Sequence, residues 1–278
     1  MVNIITDSTS DLGIDIAAEF KITIIPLSVT IGGNVYKDGV DIYQKDLFAL
    51  VQKYAELPKT AAPSVGEFSK VFDLPGESVF IGISSKLSAT IQNACLALDM
   101  LQAGKVRVID SLNLSTGIGL LALRAAELRD QGLSAEKIEQ QLLASVSKVR
   151  TSFVIETMDY LYKGGRCTAL QAIAGSVLKI HPIIEIRPEG TLEVKEKARG
   201  TLQKGLQMIL DDFESHLKDL DRGRVFITTT SDNTTDINHL VNEVQRIAAP
   251  QDIRVTRAGS VISSHCGPGS TGILYFVK

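Results

Sequence analysis

The stretch Ile83-Ser84-Ser85-Lys86-Leu87-Ser88-Ala89-Thr90-Ile91-Gln92 marks a change from strand to helix. The apolar run Ser78–Ile83 predicts a buried strand, and apolar residues at helical spacing then predict a helix over Ala89–Gln102. We expect Ser88 to be the N-cap of that helix. Unpaired N–H groups and the helix dipole favour an anion there. Because only Lys86 is positively charged nearby, neutral donors would hold this anion, which suits a single carboxylate better than a polyphosphate.

Short apolar runs alternate with amphipathic stretches up to about residue 150. Strands separated by helices indicate a parallel sheet covered on both faces. Ser64 and Glu67 have the spacing of a capping box at the start of one helix. The predicted strands are Val2–Thr6, Ile22–Leu27, Ser78–Ile83 and Val106–Asp110. The predicted helices are Leu12–Phe20, Gln44–Tyr54, Val65–Phe72, Ala89–Gln102, Leu114–Gln131 and Ala135–Val149.

After Arg150 the pattern changes to hairpins mixed with helices, which is typical of an α+β domain. The predicted strands are Ser152–Glu156, Pro182–Ile186, Thr191–Val194, Val225–Thr230, Ile253–Thr256 and, after a Gly/Ser-rich loop, Gly272–Val277. The predicted helices are a short one running toward Lys163, then Ala169–Lys179, Leu202–Leu217 and Ile237–Ile247. We therefore predict an α/β protein of two domains, an N-terminal parallel-sheet α/β domain (1–150) and a C-terminal α+β domain (151–278).

Composition and charge exclude several classes of protein. A net charge of −3 argues against nucleic acid as a partner, because binding to phosphates needs a basic face. We find no apolar run long enough to span a membrane, and the chain opens into a strand rather than a signal peptide. Three scattered cysteines indicate a reducing, cytoplasmic location. Four scattered histidines lack the spacing of metal ligands, so we expect no metal.

Two further segments are candidates for lining a site. Asp7–Leu12 follows a strand, at the sheet edge where ligands gather in α/β folds. There we expect Asp7, Ser8 and Thr9 to line the site, while Ser10 or Asp11 equally well caps a helix. Pro58–Ser64 is held extended by two prolines, so Thr60 could present its hydroxyl to a cleft.

The segment Gly259–Gly272 contains glycines that match a dinucleotide-binding fingerprint, but a strand follows where that motif requires a helix. The glycines more plausibly let the backbone approach a ligand. His265 beside Cys266 suggests a cysteine nucleophile only weakly, because sequence neighbours rarely point the same way. A histidine that donates to a carboxylate is the better interpretation, although a lone histidine is more often only structural. The basic turn Lys163–Arg166 is either a solvated helix end or a docking patch.

Together these segments resemble the DegV family, the fatty-acid-binding proteins that serve bacterial fatty acid kinase. The resemblance covers the whole chain. It differs at Ala61-Ala62, where the family has Ser-Gln, and at Ala89-Thr90, where it has Gly-Thr. Ala61 lacks a donor, and Ala89 adds a methyl group near the ligand. The motifs that carry the resemblance are Asp7–Leu12, Lys59–Ser64, Ile83–Thr90, Leu161–Arg166 and His265–Gly269.

The resemblance implies that a long-chain fatty acid, such as palmitate, stearate or oleate, binds in a tunnel at the domain interface. The carboxylate would meet Thr60, Ser88 and His265. Ala61, Ala89 and Gly267 would lie beside it. A separate kinase would phosphorylate the carboxylate with ATP, so the chain would be a non-catalytic carrier with no cofactor and only transient membrane contact. Two further positions, Arg166 and Arg199, match basic residues near the family's kinase-docking face.

Two alternatives come from other classes of protein. A serine acyl-hydrolase or thioesterase would use Ser88 and His265, but the nucleophile-elbow pattern and an evident acidic partner are absent from the sequence. A transcription regulator or scaffold would need a helix-turn-helix and a basic surface, and the sequence shows neither.

Overall fold

A computed structural model describes residues 1–101, 104–167 and 180–278. The helix predicted over Ala169–Lys179 lies outside the described residues, as does Gln102 at the end of another predicted helix. The strands are β1 (Asn3–Asp7), β2 (Ile22–Ile25), β3 (Ser28–Ile31), β4 (Asn34–Lys37), β5 (Lys59–Ala61), β6 (Ser78–Gly82), β7 (Val106–Asp110), β8 (Val149–Val154), β9 (Ile180–Ile186), β10 (Leu192–Arg199), β11 (Leu220–Thr229), β12 (Asp252–Arg257) and β13 (Thr271–Val277).

The helices follow the predicted order closely. They are α1 (Gly13–Glu19), α2 (Gln44–Tyr54), α3 (Val65–Phe72), α4 (Thr90–Leu101), α5 (Thr116–Asp130), α6 (Ala135–Val146), α7 (Asp159–Lys163), α8 (Leu202–Ser215), α9 (Thr234–Ala248) and α10 (Ser260–Cys266), with a 3-10 turn at Ser8–Ser10. The capping box at the start of α3 is confirmed, since the Ser64 hydroxyl and the Glu67 carboxylate each accept the other residue's backbone N–H.

The predicted parallel sheet is confirmed, with the strand order β2-β1-β6-β7. Successive side chains of a strand point to opposite faces, and in the central strands β1 and β6 nearly all of them are buried, so helices cover both faces there. Ile4 packs with residues of α5 and α6, whereas Ile5 packs against Phe68 and Phe72 of α3. This sheet therefore brings the carboxyl ends of β1 and β6, with the polar segments that follow them, to one edge.

The second principal sheet is mixed, with the order β10-β9-β8-β13-β11-β12 and a parallel pair only at β11–β12. The predicted hairpin is present as the antiparallel pair β9–β10. One face of this sheet packs against α8 and α9, and the other packs against α5. Helix α5 lies between the two sheets, which explains why it is apolar on nearly every side. The division near residue 150 stays a prediction.

The structure corrects several sequence-based expectations. The sequence did not predict the third sheet, β4-β3-β5, because its strands are only three or four residues long and give a weak pattern. The helix expected over Ala135–Val149 ends at Val146, so that Val149 can start β8. Helix α4 begins at Thr90, which places Ala89 rather than Ser88 in the N-cap position. The Gly/Ser-rich loop expected before the last strand contains α10.

Helix α10 forms because two buried carboxylates from the first half of the chain accept its first N–H groups. Asp38 Oδ1 accepts the N–H of Ser260 at 2.6 Å, and Asp11 Oδ1 accepts the N–H of Gly259 at 2.8 Å. Asp11 Oδ2 also accepts the Ser115 hydroxyl at 2.6 Å. Burial raises the pKa of Asp38 to about 6 and raises the pKa of Asp11 well above its usual value. These contacts position the helix that ends in His265 and Cys266.

We expect Asp38→Ala to destabilise the protein, because it leaves the buried N–H of Ser260 without an acceptor. Such a loss costs about 1–3 kcal/mol. The free energy of unfolding, measured by urea denaturation, should fall by that amount. Asp99→Ala on the exposed surface of α4 is the matched control and should stay within about 0.5 kcal/mol of the parent. Equal stabilities of the two variants would contradict the proposed capping role.

Candidate functional site

A cavity of about 200 Å³ lies between the two halves of the chain. It is lined by residues after β6, by β5, by α10 and by the start of β10. One part of its wall is polar and contains Thr60, Ser88, His265 and Arg166. The rest is mostly aliphatic, with the side chains Leu27, Ile83, Leu87, Leu114, Leu161, Leu192, Val261 and Ile262. The cavity therefore joins a small group of donors to an apolar interior.

Thr60 and His265 form the centre of the polar wall. Thr60 Oγ1 lies 2.8 Å from His265 Nε2, although the two residues are far apart in sequence. Pairing of Thr60 with Val29 in the small sheet fixes the threonine, and α10 fixes the histidine. His265 Nδ1 is buried without a hydrogen-bond partner among the described residues. A side chain at Gly164 would lie 2.6 Å from that nitrogen, so a glycine is required there for the ring to fit.

The imidazole of His265 is neutral at physiological pH. Burial is the main cause that lowers its pKa, to about 4, and the nearby positive charge of Arg166 lowers it further. A neutral imidazole with one hydrogen-bonded nitrogen acts as a donor or an acceptor, but carries no charge. The site therefore relies on dipoles and on the partly exposed Arg166 to attract an anion.

Ser88 lies just before α4, and its side chain accepts a hydrogen bond from the first residue of that helix. Its Oγ accepts the N–H of Thr90 at 3.3 Å and lies 2.8 Å from Thr90 Oγ1, while Thr90 itself is fully buried. The segment between β6 and Ser88 is held by Asp7 at the end of β1, because Asp7 Oδ2 accepts the N–H of Ile83 at 2.8 Å. The start of a helix of this length favours an anion near Ser88.

Some of the predicted site residues lie at the cavity and others do not. Ala61 and Ala89 line it with Thr60, Ser88 and His265. Gly267 does not, because it ends α10 with a φ of +72°, and a side chain there would strike the ring of Tyr160. The side chains of Asp7, Ser8 and Thr9 are likewise absent from the lining, and Asp7 supports the segment beneath it.

The two predicted docking arginines are placed differently. Arg166 lines the cavity, and its Nε donates to the carbonyl of Leu87 at 3.3 Å. Arg199 is exposed at the opposite end of β10 from Leu192. A strand rises about 3.3 Å per residue, so these two ends are about 23 Å apart. Arg199 therefore cannot touch a ligand held in this cavity without a large rearrangement.

Sequence reasoning missed most of the aliphatic wall. Leu192 lies at the start of a hairpin strand, and Val261 and Ile262 lie in the segment that was interpreted as a loop. Nothing in their spacing marks them as facing a cavity. Recognising α10 as a helix would have suggested that Ile262 and His265, three residues apart, lie on one face.

The geometry argues against nucleophilic chemistry by Cys266. Burial raises the pKa of its thiol to about 12, so the reactive thiolate is scarcely formed. Within the described ranges, no group of three His, Cys, Asp or Glu side chains converges as a metal site would require. What remains is a site of two hydroxyls, a neutral imidazole and the exposed Arg166 beside an apolar cavity, which fits an amphipathic carboxylate.

Comparisons with known proteins agree with this geometry. The family described as "Uncharacterised protein, DegV family" matches residues 1–278. A DegV domain-containing protein of Caldanaerobacter subterraneus is 32% identical over 286 residues, which cover 100% of this chain and 99% of that protein. Among the helices described, none has both the length and the hydrophobicity needed to cross a bilayer.

Two solved structures are similar over their full length. One shows fatty acid binding by a DegV family protein from Thermus thermophilus, with a TM-score of 0.92 and 31% identity over 100% of this chain and 99% of that one. The other is the fatty acid kinase (Fak) B3 protein of Streptococcus pneumoniae loaded with linoleic acid, with a TM-score of 0.87 and 25% identity over 100% of both chains.

We expect His265 to titrate with a midpoint near pH 4, as measured by the pH dependence of its imidazole NMR signals. The unfolded chain binds this proton near pH 6.5, so lowering the pH from 6.5 to 4 favours unfolding. The cost reaches about 3 kcal/mol at the acidic end. His265→Gln should lack this part of the pH dependence. A midpoint near 6.5 in the folded protein would contradict the buried, neutral imidazole.

Proposed function

The chain belongs to the DegV family, and from that membership we propose that it binds one long-chain fatty acid and presents it to a separate fatty acid kinase. The observation that carries the proposal is the pairing of two hydroxyls, those of Thr60 and Ser88, with an apolar cavity between the two halves. Each hydroxyl has a partner behind it, in His265 and Thr90 respectively. Similar structures contain bound fatty acids, which supports the same ligand class here.

The carboxylate is held by hydroxyls whose protons are directed toward it. If His265 Nε2 carries the imidazole proton, it donates to Thr60 Oγ1, and the Thr60 hydroxyl then donates to the ligand. The Thr90 hydroxyl can donate to Ser88 in the same way. Such chains of donors strengthen one another in a buried setting. They offset the several kcal/mol that burial of an unpartnered carboxylate costs.

The acyl tail lies against the aliphatic wall. Burial of each methylene contributes about 0.8 kcal/mol, so about fourteen of them contribute ~11 kcal/mol before the costs of ordering the ligand. Ligand pockets usually measure about 300–1,000 Å³. Because the cavity measures about 200 Å³, its walls must move apart when a long chain enters. Palmitate, stearate and oleate are the ligands that we expect.

The kinase would act on a carboxylate that remains ionised. The hydroxyl donors stabilise the anion without forming a strong ion pair, so a carboxylate oxygen stays available to attack the γ-phosphorus of ATP. The bond from that phosphorus to the bridging oxygen breaks, ADP leaves, and an acyl phosphate forms. The exposed Arg199 lies too far from the cavity to bind the carboxylate, which suits it to docking the kinase. Arg166, at the cavity itself, would contribute to both roles. The proposed location is the cytoplasm, with transient contact to the membrane that supplies the lipid.

A serine hydrolase is the weaker interpretation of the same residues. His265 Nε2 is hydrogen-bonded to Thr60, and no carboxylate among the described residues orients the ring through Nδ1. A triad needs a base that reaches the serine and an acid that orients the base. The described geometry supplies neither contact, which favours a carrier over an enzyme.

Purified protein, denatured and measured by mass spectrometry, should release about one equivalent of fatty acid. Thr60→Val and Ser88→Ala should each weaken oleate binding about 10- to 100-fold, because each removes a hydrogen bond to a charged group. Calorimetry with lipid-stripped protein measures the loss. Ser69→Ala, whose hydroxyl donates to Val65 within α3, is the matched control.

Absence of bound lipid together with absence of oleate binding would refute the carrier function. An esterase assay on the same preparations separates it from the hydrolase. Turnover that Ser88→Ala abolishes would favour the enzyme.

Arg199→Ala tests the docking role separately. We expect oleate affinity to stay unchanged, since this side chain lies far from the cavity, while formation of acyl phosphate by an added bacterial fatty acid kinase falls. The hydroxamate assay for acyl phosphate measures this rate. Lys218→Ala, which removes a charge at an exposed position after α8, is the control. An unchanged rate with Arg199→Ala would exclude this arginine from docking.

A further inference from the structure

We propose that the hydrogen bond between Ser84 and the carbonyl of Gly190 controls the rate at which the cavity exchanges its fatty acid. The inference rests on the proposed function, because it concerns entry to the same cavity. It assigns a role to two residues that do not line the cavity and that lie on different halves of the chain.

The Ser84–Gly190 hydrogen bond is a buried contact between the two halves of the chain. Ser84 Oγ donates to the Gly190 carbonyl at 2.8 Å, and the Ser84 side chain is fully buried. Gly190 lies at the tip of the β9–β10 hairpin with a φ of +86°, a backbone conformation that favours glycine. A Cβ there would lie 2.3 Å from Ser84 Oγ and 3.2 Å from the Cα of Leu112. The hairpin tip can therefore pack against the first half of the chain only because residue 190 has no side chain.

Ser84 and Gly190 lie next to both the polar and the aliphatic wall of the cavity. On one side, the carbonyl of Ser84 accepts the N–H groups of Leu87 at 2.9 Å and Ser88 at 3.1 Å, which closes the turn that positions the Ser88 hydroxyl. On the other side, Leu192 follows Gly190 by two residues and forms part of the aliphatic wall. The contact thus holds a wall of the cavity against the turn that carries a head-group donor.

We expect this wall to move during loading. The cavity is lined by residues of both halves and, at about 200 Å³, is smaller than the usual ligand pocket, so separation of the hairpin from the turn would widen it for a long acyl chain. Arg166 contacts the same turn by donating to the Leu87 carbonyl. This hydrogen bond is longer, at 3.3 Å, and the Arg166 side chain is more exposed than that of Ser84. The Ser84–Gly190 bond is therefore the stronger of these two restraints on opening.

Ser84→Ala removes this bond without adding bulk, and it also removes the hydroxyl that accepts the Lys86 N–H at 3.2 Å. Gly190→Ala leaves that hydroxyl in place but prevents the hairpin tip from packing against Ser84. We expect each to speed the release of radiolabelled oleate into excess phosphatidylcholine vesicles about 2- to 10-fold, the factor that corresponds to one net hydrogen bond. The association rate should rise in parallel, so the dissociation constant changes little. Gly190→Ala therefore tests the contact between the halves without the Ser84–Lys86 bond, and the effects of the two changes should not add in the double variant, because both disable that contact.

Ser85→Ala is the matched control, since Ser85 is exposed and its hydroxyl makes no hydrogen bond to the described residues. Equal exchange rates for Ser84→Ala and Ser85→Ala would overturn the proposal. So would a weaker dissociation constant with an unchanged association rate, which would mean that Ser84 only supports Ser88. Failure of the parent protein to bind oleate at all would instead refute the carrier function.

Discussion

The hydrogen bond between Thr60 and His265 exists because two short elements from opposite halves of the chain are held together from behind. Strand β5 reaches its place through pairing with β3, and α10 reaches its place through Asp11 and Asp38. Neither element has enough length to be stable alone, since isolated helices of this size are marginal in water. The polar end of the cavity is therefore a product of tertiary contacts.

Those supporting contacts carry an electrostatic cost that the site itself avoids. Asp7, Asp11 and Asp38 are buried carboxylates, and burial raises the pKa of each. Their compensation comes from backbone N–H groups and hydroxyls rather than from basic side chains. The cavity, by contrast, keeps its histidine neutral. Buried acidic side chains thus position the elements around the cavity, whereas the histidine at the cavity is uncharged and would lie beside the charge of a ligand.

In the proposed function, the apolar and polar parts of the cavity would act on different properties of a bound lipid. The aliphatic wall would supply most of the affinity, because its contribution grows with each methylene buried. The hydroxyls would contribute less energy but would determine which end of the ligand is bound and in which orientation. The role proposed for the Ser84–Gly190 contact concerns neither affinity nor orientation, but the rate at which the wall opens. A carrier needs all three, since it must bind tightly and still deliver its ligand.

The sequence by itself determined the parallel sheet and the hairpin β9–β10, and it predicted a head-group site after β6, which stays a prediction. These follow from local patterns, namely apolar runs, the capping box at Ser64 and the change from strand to helix at Ile83–Thr90. The local pattern pointed to Ser88, while the resemblance to the DegV family added Thr60 and His265, and all three line one cavity.

Only the tertiary structure decided that the segment after Gly259 is helical, that Gly267 ends this helix, and that Arg199 lies far from the cavity. The reason is that α10 depends on acceptors more than 200 residues away, and a local pattern contains no information about contacts at that separation.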